Sequence, residues 1–307
     1  MKKSILAVAV VLGSTSLFAQ DLTSKKGEAF LPEAGDWALS IDATPFLNYF
    51  GNFIGGNGLN TAPSFNYLTA NNMITGKYFV DAETAYRASL RIGFGSTKGE
   101  MEVTDRSSST APVFPGTVPA MVMNNYKMGT TNIGLSVGLE KRRGFGRLVG
   151  VYGAELGFMI GSSKNTYEYG NALTSNTAAV NVDLSPADNM LGGINQTGVT
   201  DVFGNPGRIT ESKSGTSFGF GLRGFIGAEY FVIPRLSVGG EFGWGLAFNA
   251  NGTGSTTMES EGINAAGDEE TLSSTAEVSN GSSFGIDTDN LNKIFGASAN
   301  LKITFHF

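Results

Sequence analysis

The sequence predicts an all-β chain: an antiparallel up-and-down transmembrane β-barrel of eight strands with long extracellular loops. Three observations predict it. Period-two alternation of apolar and polar residues recurs eight times. The connections alternate between tight turns and long polar stretches, as in outer-membrane barrels. The face opposite the apolar one is small and Gly-rich, which suits a narrow eight-stranded interior better than a water-facing surface. No eighteen-residue uninterrupted apolar run follows the first twenty residues, so no spanning helix is expected. Clear 3.6-residue periodicity is absent.

Residues 1–19 read as an export signal peptide. Lys2 and Lys3 are a basic start, Ile5 to Leu12 an apolar core too short to span a bilayer, and Ala19 a cleavage position. Residues 20–36 are expected to be a periplasmic N-terminal segment and 37–307 a single barrel domain. Loss of the two lysines with the signal takes the formal charge from −6 to −8, which argues against a nucleic-acid partner. There is no cysteine, which excludes disulfides, thiol chemistry and lipidation at a cysteine.

The eight segments run roughly from Trp37 to Phe50, Asn71 to Val80, Ala85 to Ser96, Thr131 to Lys141, Arg147 to Ser162, Ser217 to Val232, Leu236 to Asn249 and Leu291 to Phe307. Segments two and three are joined by "DAET", four and five by "RRGFG", six and seven by "IPR". Gly144, Gly146 and Pro234 supply the turn chemistry. The other four connections, of about 20, 34, 54 and 41 residues, are rich in Ser, Thr, Asn and Gly and are expected as surface loops. Eight strands place both termini at the short-turn, periplasmic side of a bacterial outer membrane.

In the third segment Tyr86, Ala88, Leu90, Ile92 and Phe94 share one face, and Arg87, Ser89, Arg91, Gly93 and Gly95 the other. Segments six and seven repeat the pattern. Trp37, Tyr78, Tyr86, Tyr230, Phe305 and Phe307 fall near the periplasmic ends on the apolar face, as an aromatic girdle would.

With these features the chain resembles eight-stranded outer-membrane barrels of the OmpA, OmpX and OmpW type, through topology and the aromatic terminus and not through a diagnostic motif. The resemblance implies that Phe307, closing the alternating "LKITFHF", is the signal read by the barrel-assembly machinery, with the last strand closing against the first. The loops here exceed those of the smallest family members, so functions carried by short loops do not transfer.

Alternation assigns to the interior five acids, Asp42, Glu140, Glu155, Glu229 and Glu241, and five bases, Lys77, Arg87, Arg91, Arg223 and Lys302. Isolated charges in a narrow interior are costly, so a self-neutralised network that plugs the barrel is favoured. An open ion-selective pore would more often carry one dominant sign. The only histidine, His306, reads as a rim residue facing water. A Ser-His-acid site there would have to draw on Ser40 and Asp42. "GFGLRG" has dinucleotide-fingerprint spacing at Gly219, Gly221 and Gly224 but lies inside a strand, the wrong context. The acidic stretch Glu259 to Asp289, with no Lys or Arg between Arg235 and Lys293, reads as a solvated loop; "DTDN" at Asp287 to Asn290 leaves divalent-cation binding open.

The functional expectation is a non-enzymatic outer-membrane barrel without cofactors, anchoring surface loops for a structural, adhesive or binding role. Its partners would be outer-membrane lipid, lipopolysaccharide and the assembly machinery; an extracellular ligand is left open. A small porin is the first alternative and a surface lipid-modifying enzyme the second.

Overall fold

The computed structural model describes residues 22–24, 26–56, 73–105, 116, 120–173, 200–205, 207–278, 281–287, 294–295 and 299–307. The expected export signal lies outside the described residues.

The chain folds into antiparallel strands joined in one twelve-stranded sheet. The strands are β1 (Trp37–Asp42), β2 (Ile74–Asp81), β3 (Thr84–Thr104), β4 (Met121–Phe145), β5 (Leu148–Glu168), β6 (Gly207–Lys213), β7 (Ser217–Ile233), β8 (Leu236–Asn251), β9 (Gly254–Ile263), β10 (Glu269–Val278), β11 (Ser282–Asp287) and β12 (Ala299–His306). Eight of them pair in a closed ring: β1, β2, β3, β4, β5, β7, β8, β12 and back to β1. At the seam Ser40 lies opposite Thr304, and their hydroxyls meet at 2.7 Å. Trp37 and Phe307 exchange both backbone hydrogen bonds.

Tight turns close one end of the ring. Glu83 N–H donates to Asp81 Oδ1 between β2 and β3. Gly146 takes the left-handed φ of 64° between β4 and β5, and Arg235 takes 66° after Pro234. Gly144, expected as a turn residue, instead belongs to β4, opposite Val149.

The first segment does not continue as a strand to Phe50. It stops at Asp42, and α1 (Thr44–Ile54) follows. Pro45 explains the switch: it cannot donate to a strand ladder but fits the first helical turn. Phe46, Tyr49, Phe50 and Phe53 then follow at helical spacing. No helix among the described residues is long and apolar enough to cross a membrane.

The long polar connections are also more ordered than expected. β3, β4 and β5 run on past Ser96, before Thr131 and past Ser162. β5 branches: its first part pairs with β7 as far as Gly161, and Lys164 to Thr166 pair with β6. β6, β9 and β10 continue as a ribbon beyond the ring. β11 takes the far half of β8, beyond the part that holds β12. These strands escape a hydrophobic-period reading because "GSTTMESEGI" and "EETLSSTAEV" are polar on both faces.

The ring is inverted relative to a water-soluble core. Leu90, Ile92, Phe94, Leu135, Ile160 and Phe242 are exposed on its outside. Lys77, Arg87, Glu140, Glu155, Arg223 and Glu229 are buried inside. A large apolar outer surface of this kind marks a partner or a lipid phase. Trp37, Tyr78 and Tyr86 line up across β1, β2 and β3 on that outside, with the Trp37 and Tyr78 rings 4.9 Å apart.

Apolar side chains pack inside the ring toward both of its ends. At the turn end Phe30 of the N-terminal segment enters against Val149, Val151 and Phe231, with the Arg147 guanidinium 4.0 Å from its ring centre. Toward the loop end Ile294 and Phe295 pack on Ala247 and Met159. They sit over Gly157, Gly219 and Gly221, where a Cβ would collide with them. These three glycines are therefore seating for the two inserted side chains.

Candidate functional site

The interior polar residues follow from strand parity. Glu140 and Arg142 are two apart on β4, Glu155 is on β5, Arg223 and Glu229 are on β7, Glu241 is on β8, and Lys302 and His306 are on β12. All point into the ring, where a lone charge is not tolerated.

Two groups result. Nearer the turn end, Lys77 Nζ is 3.0 Å from Glu140 and 3.9 Å from Glu229. Arg142 bridges the same carboxylates at 2.8 and 2.7 Å. Nearer the loop end, Arg223 joins Glu155 at 2.7 Å and Glu241 at 2.8 Å, and Lys302 reaches Glu241 at 2.9 Å. Arg87 ties the groups together, contacting Glu140 at 3.5 Å, Glu155 at 3.3 Å and Glu241 at 2.9 Å. Its guanidinium lies over Phe225, 4.1 Å from the ring centre. Gly243 leaves the space that the Arg223 guanidinium fills.

Eight of the ten charges read from the sequence meet in this assembly: Lys77, Arg87, Glu140, Glu155, Arg223, Glu229, Glu241 and Lys302. Asp42 lies opposite Lys302 in the β1–β12 register, and Arg91 is buried opposite Gly134. Arg142 escapes the sequence reading because that reading ends the strand at Lys141. Its signal is parity with Glu140.

His306 does not face water. It is buried, stacked between Phe79 and Phe231 at 5.7 and 5.0 Å between ring centres. Lys302, Thr304 and His306 share one parity, which is the available signal. Its Nε2 is 3.0 Å from Ser237 Oγ and 3.7 Å from Glu229, and Ser237 Oγ donates to Glu229 at 2.7 Å. Ser40, the expected serine partner, bonds Thr304 instead. A hydrolytic triad holds the acid on one ring nitrogen and the serine on the other. Here both crowd Nε2, Nδ1 has no hydrogen-bond partner among the described residues, and Ser237 is fully buried.

No protein-family model matches the chain, and no curated protein matches it in sequence. Among solved structures it is similar to a major outer membrane protein from Thermus thermophilus, at 10% identity and a TM-score of 0.29, over 90% of this chain and 100% of that one.

In the acidic stretch, Glu259 pairs with Arg208, and Glu261 accepts from the Thr271 hydroxyl. Among the described residues no group of three or more His, Asp or Glu is placed to hold a metal ion. Of "DTDN", only Asp287 is among the described residues.

In the ribbon, Asp201 organises a turn. Its Oδ1 accepts from the backbone of Phe203 and Asn205, and its Oδ2 from Asn205 Nδ2 and Ser260 Oγ. Burial alone would push this carboxyl up, but the hydrogen bonds from Ser260, Asn205 and Phe203 outweigh it and hold the carboxyl below its ordinary range. Val202 and Phe203 stand exposed at the tip.

Proposed function

We propose that the chain is an eight-stranded outer-membrane β-barrel with an occluded interior, serving as a non-enzymatic anchor for the ribbon and loops at its outer end. One observation carries this reading: an ion-pair network fills a ring whose outside is apolar, with Phe30 stopping one end and Ile294 and Phe295 the other. In this orientation the tight turns and both termini face the periplasm, and the ribbon of β6, β9 and β10 faces outward. The partners are outer-membrane lipid, lipopolysaccharide and the assembly machinery that reads the Phe307 strand.

Conductance and gel mobility test it together. The folded protein is expected to migrate faster before boiling than after, and to pass no steady current in planar bilayers. Identical migration would remove the barrel. Steady channels with a mobility shift would instead favour a small porin.

A further inference from the structure

The outside of β3, β4, β5 and β6 changes character at one height. Ile92, Ile133, Ile160 and Phe218 form one apolar row across β3, β4, β5 and β7. Phe94, Thr131 and Ser162 form the next, followed by Ser96, Gly129, Lys164 and Lys213, then by Lys98, Lys127, Thr166 and Glu211. Four lysines thus occupy two adjoining rows beyond the apolar belt, and the row after them holds Glu100, Asn125 and Glu168. A concavity of about 560 Å³ lies at the Lys164–Lys213 side of these rows, lined among others by Phe94, Ser96, Ser162, Lys164 and Lys213; Lys98 and Lys127 stand outside its lining.

These lysines are opposed in register as like charges, Lys98 to Lys127 and Lys164 to Lys213, an arrangement that destabilises a sheet unless something neutralises it. The second pair carries its own counter-ion: Glu211 lies 2.6 Å from Lys164 and 2.5 Å from Lys213. Among the described residues no carboxylate is within ion-pair distance of Lys98 or Lys127. Twelve positions separate Tyr86 of the girdle from Lys98. At the rise and tilt of barrel strands that is roughly 30 Å along the membrane normal, the thickness of a hydrocarbon core.

We propose that Lys98 and Lys127, flanked by Lys164 and Lys213, form a ledge that takes the phosphate of anionic lipid headgroups in the outer leaflet. The ledge rests on the membrane-barrel reading. The pair without an ion-pair partner is its centre, with the hydroxyls of Thr166 in the same row and Ser96 in the adjoining one as the nearest hydrogen-bonding groups for phosphate oxygens.

The test uses the full chain in vesicles of phosphatidylcholine doped with phosphatidylglycerol. Integration is read by resistance to a carbonate wash, and retained lipid by native mass spectrometry after detergent extraction. Phosphatidylglycerol is expected to be retained by the wild type and lost from K98Q/K127Q by roughly fivefold per lysine. The loss should be smaller in K164Q/K213Q, where Glu211 already neutralises, and absent in K26Q, a change outside the ring. In neutral detergent K98Q/K127Q is expected to melt no lower than wild type, since it relieves repulsion. Unchanged retention by integrated K98Q/K127Q overturns the ledge. So does equal retention of inorganic phosphate added without lipid, which would mean a free-anion site. Failure of the wild type to integrate overturns the barrel reading itself.

Discussion

Arg87 on β3 and Glu241 on β8 meet across the middle of the ring, with Nη1 2.9 Å from Oε2 and Nη2 3.3 Å from Oε1, although three strands separate them in either direction around the wall. The pair is a cross-brace. It fixes the distance between opposite walls, and Arg223 and Lys302 share the same carboxylate. A brace of this kind is what the occluded-interior reading proposed above rests on.

Glu241→Gln is therefore expected to be strongly destabilising, because three cations lose a common counter-charge. The cost for a buried pair is about 3–5 kcal/mol. Unfolding in detergent by denaturant measures it. A second change, Arg223→Gln, should recover part of the loss, since coupled neighbours are not additive. Unchanged stability in Glu241→Gln would mean that water, and not Arg87, sets the environment of this carboxylate.

Phe307→Asp is expected to lower the amount of protein in the outer membrane. Its side chain is exposed beside the girdle, and its backbone closes the seam with Trp37. In the proposed barrel a charge there would have to sit in the interfacial band. Fractionation of cells expressing each variant gives the answer, and equal insertion would place the assembly signal elsewhere.

The Asp201 turn should loosen in acid. Its folded pKa lies below the unfolded value of about 3.9, so the carboxylate adds stability above that value. That stability goes as the pH falls through the lower folded pKa. Hydrogen exchange at Phe203 and Asn205 is expected to be slow at pH 6 and to speed up, relative to other ribbon amides, below about pH 4. Asp201→Asn should abolish that pH dependence, and a pH response that survives the substitution would assign it to another group.

How far the sequence speaks depends on which faces a strand buries. β3, β7 and β8 are legible because their outward face is apolar and their inward face lines a crowded interior, so period two is strong. β6, β9 and β10 lie beyond the apolar belt, where Ser, Thr and Glu serve both faces and no period survives. α1 is hidden by the opposite problem: its aromatic run passes for a strand unless Pro45 is given its weight. The interior charges are legible by parity alone, yet which carboxylate meets which cation is not. Arg87 and Glu241 are 154 positions apart, and only closure of the ring brings them together.

The β1–β12 seam also bears on how such a chain folds. Ser40 and Thr304 are separated by 264 positions, so joining them has a far larger contact order than any hairpin in the wall. Loop-closure entropy rises by about 0.6 kcal/mol for each doubling of the intervening length, and that cost falls on β1, a strand of only six residues. On contact order, hairpins such as β4–β5 and β7–β8 are expected to form first and the seam last. Until it does, β1 and β12 each present a row of unmatched N–H and C=O groups, open to mispairing with other chains. On that order, a factor that holds those two edges together would act on the last step of closure, and the same short seam is where a finished wall is expected to open first.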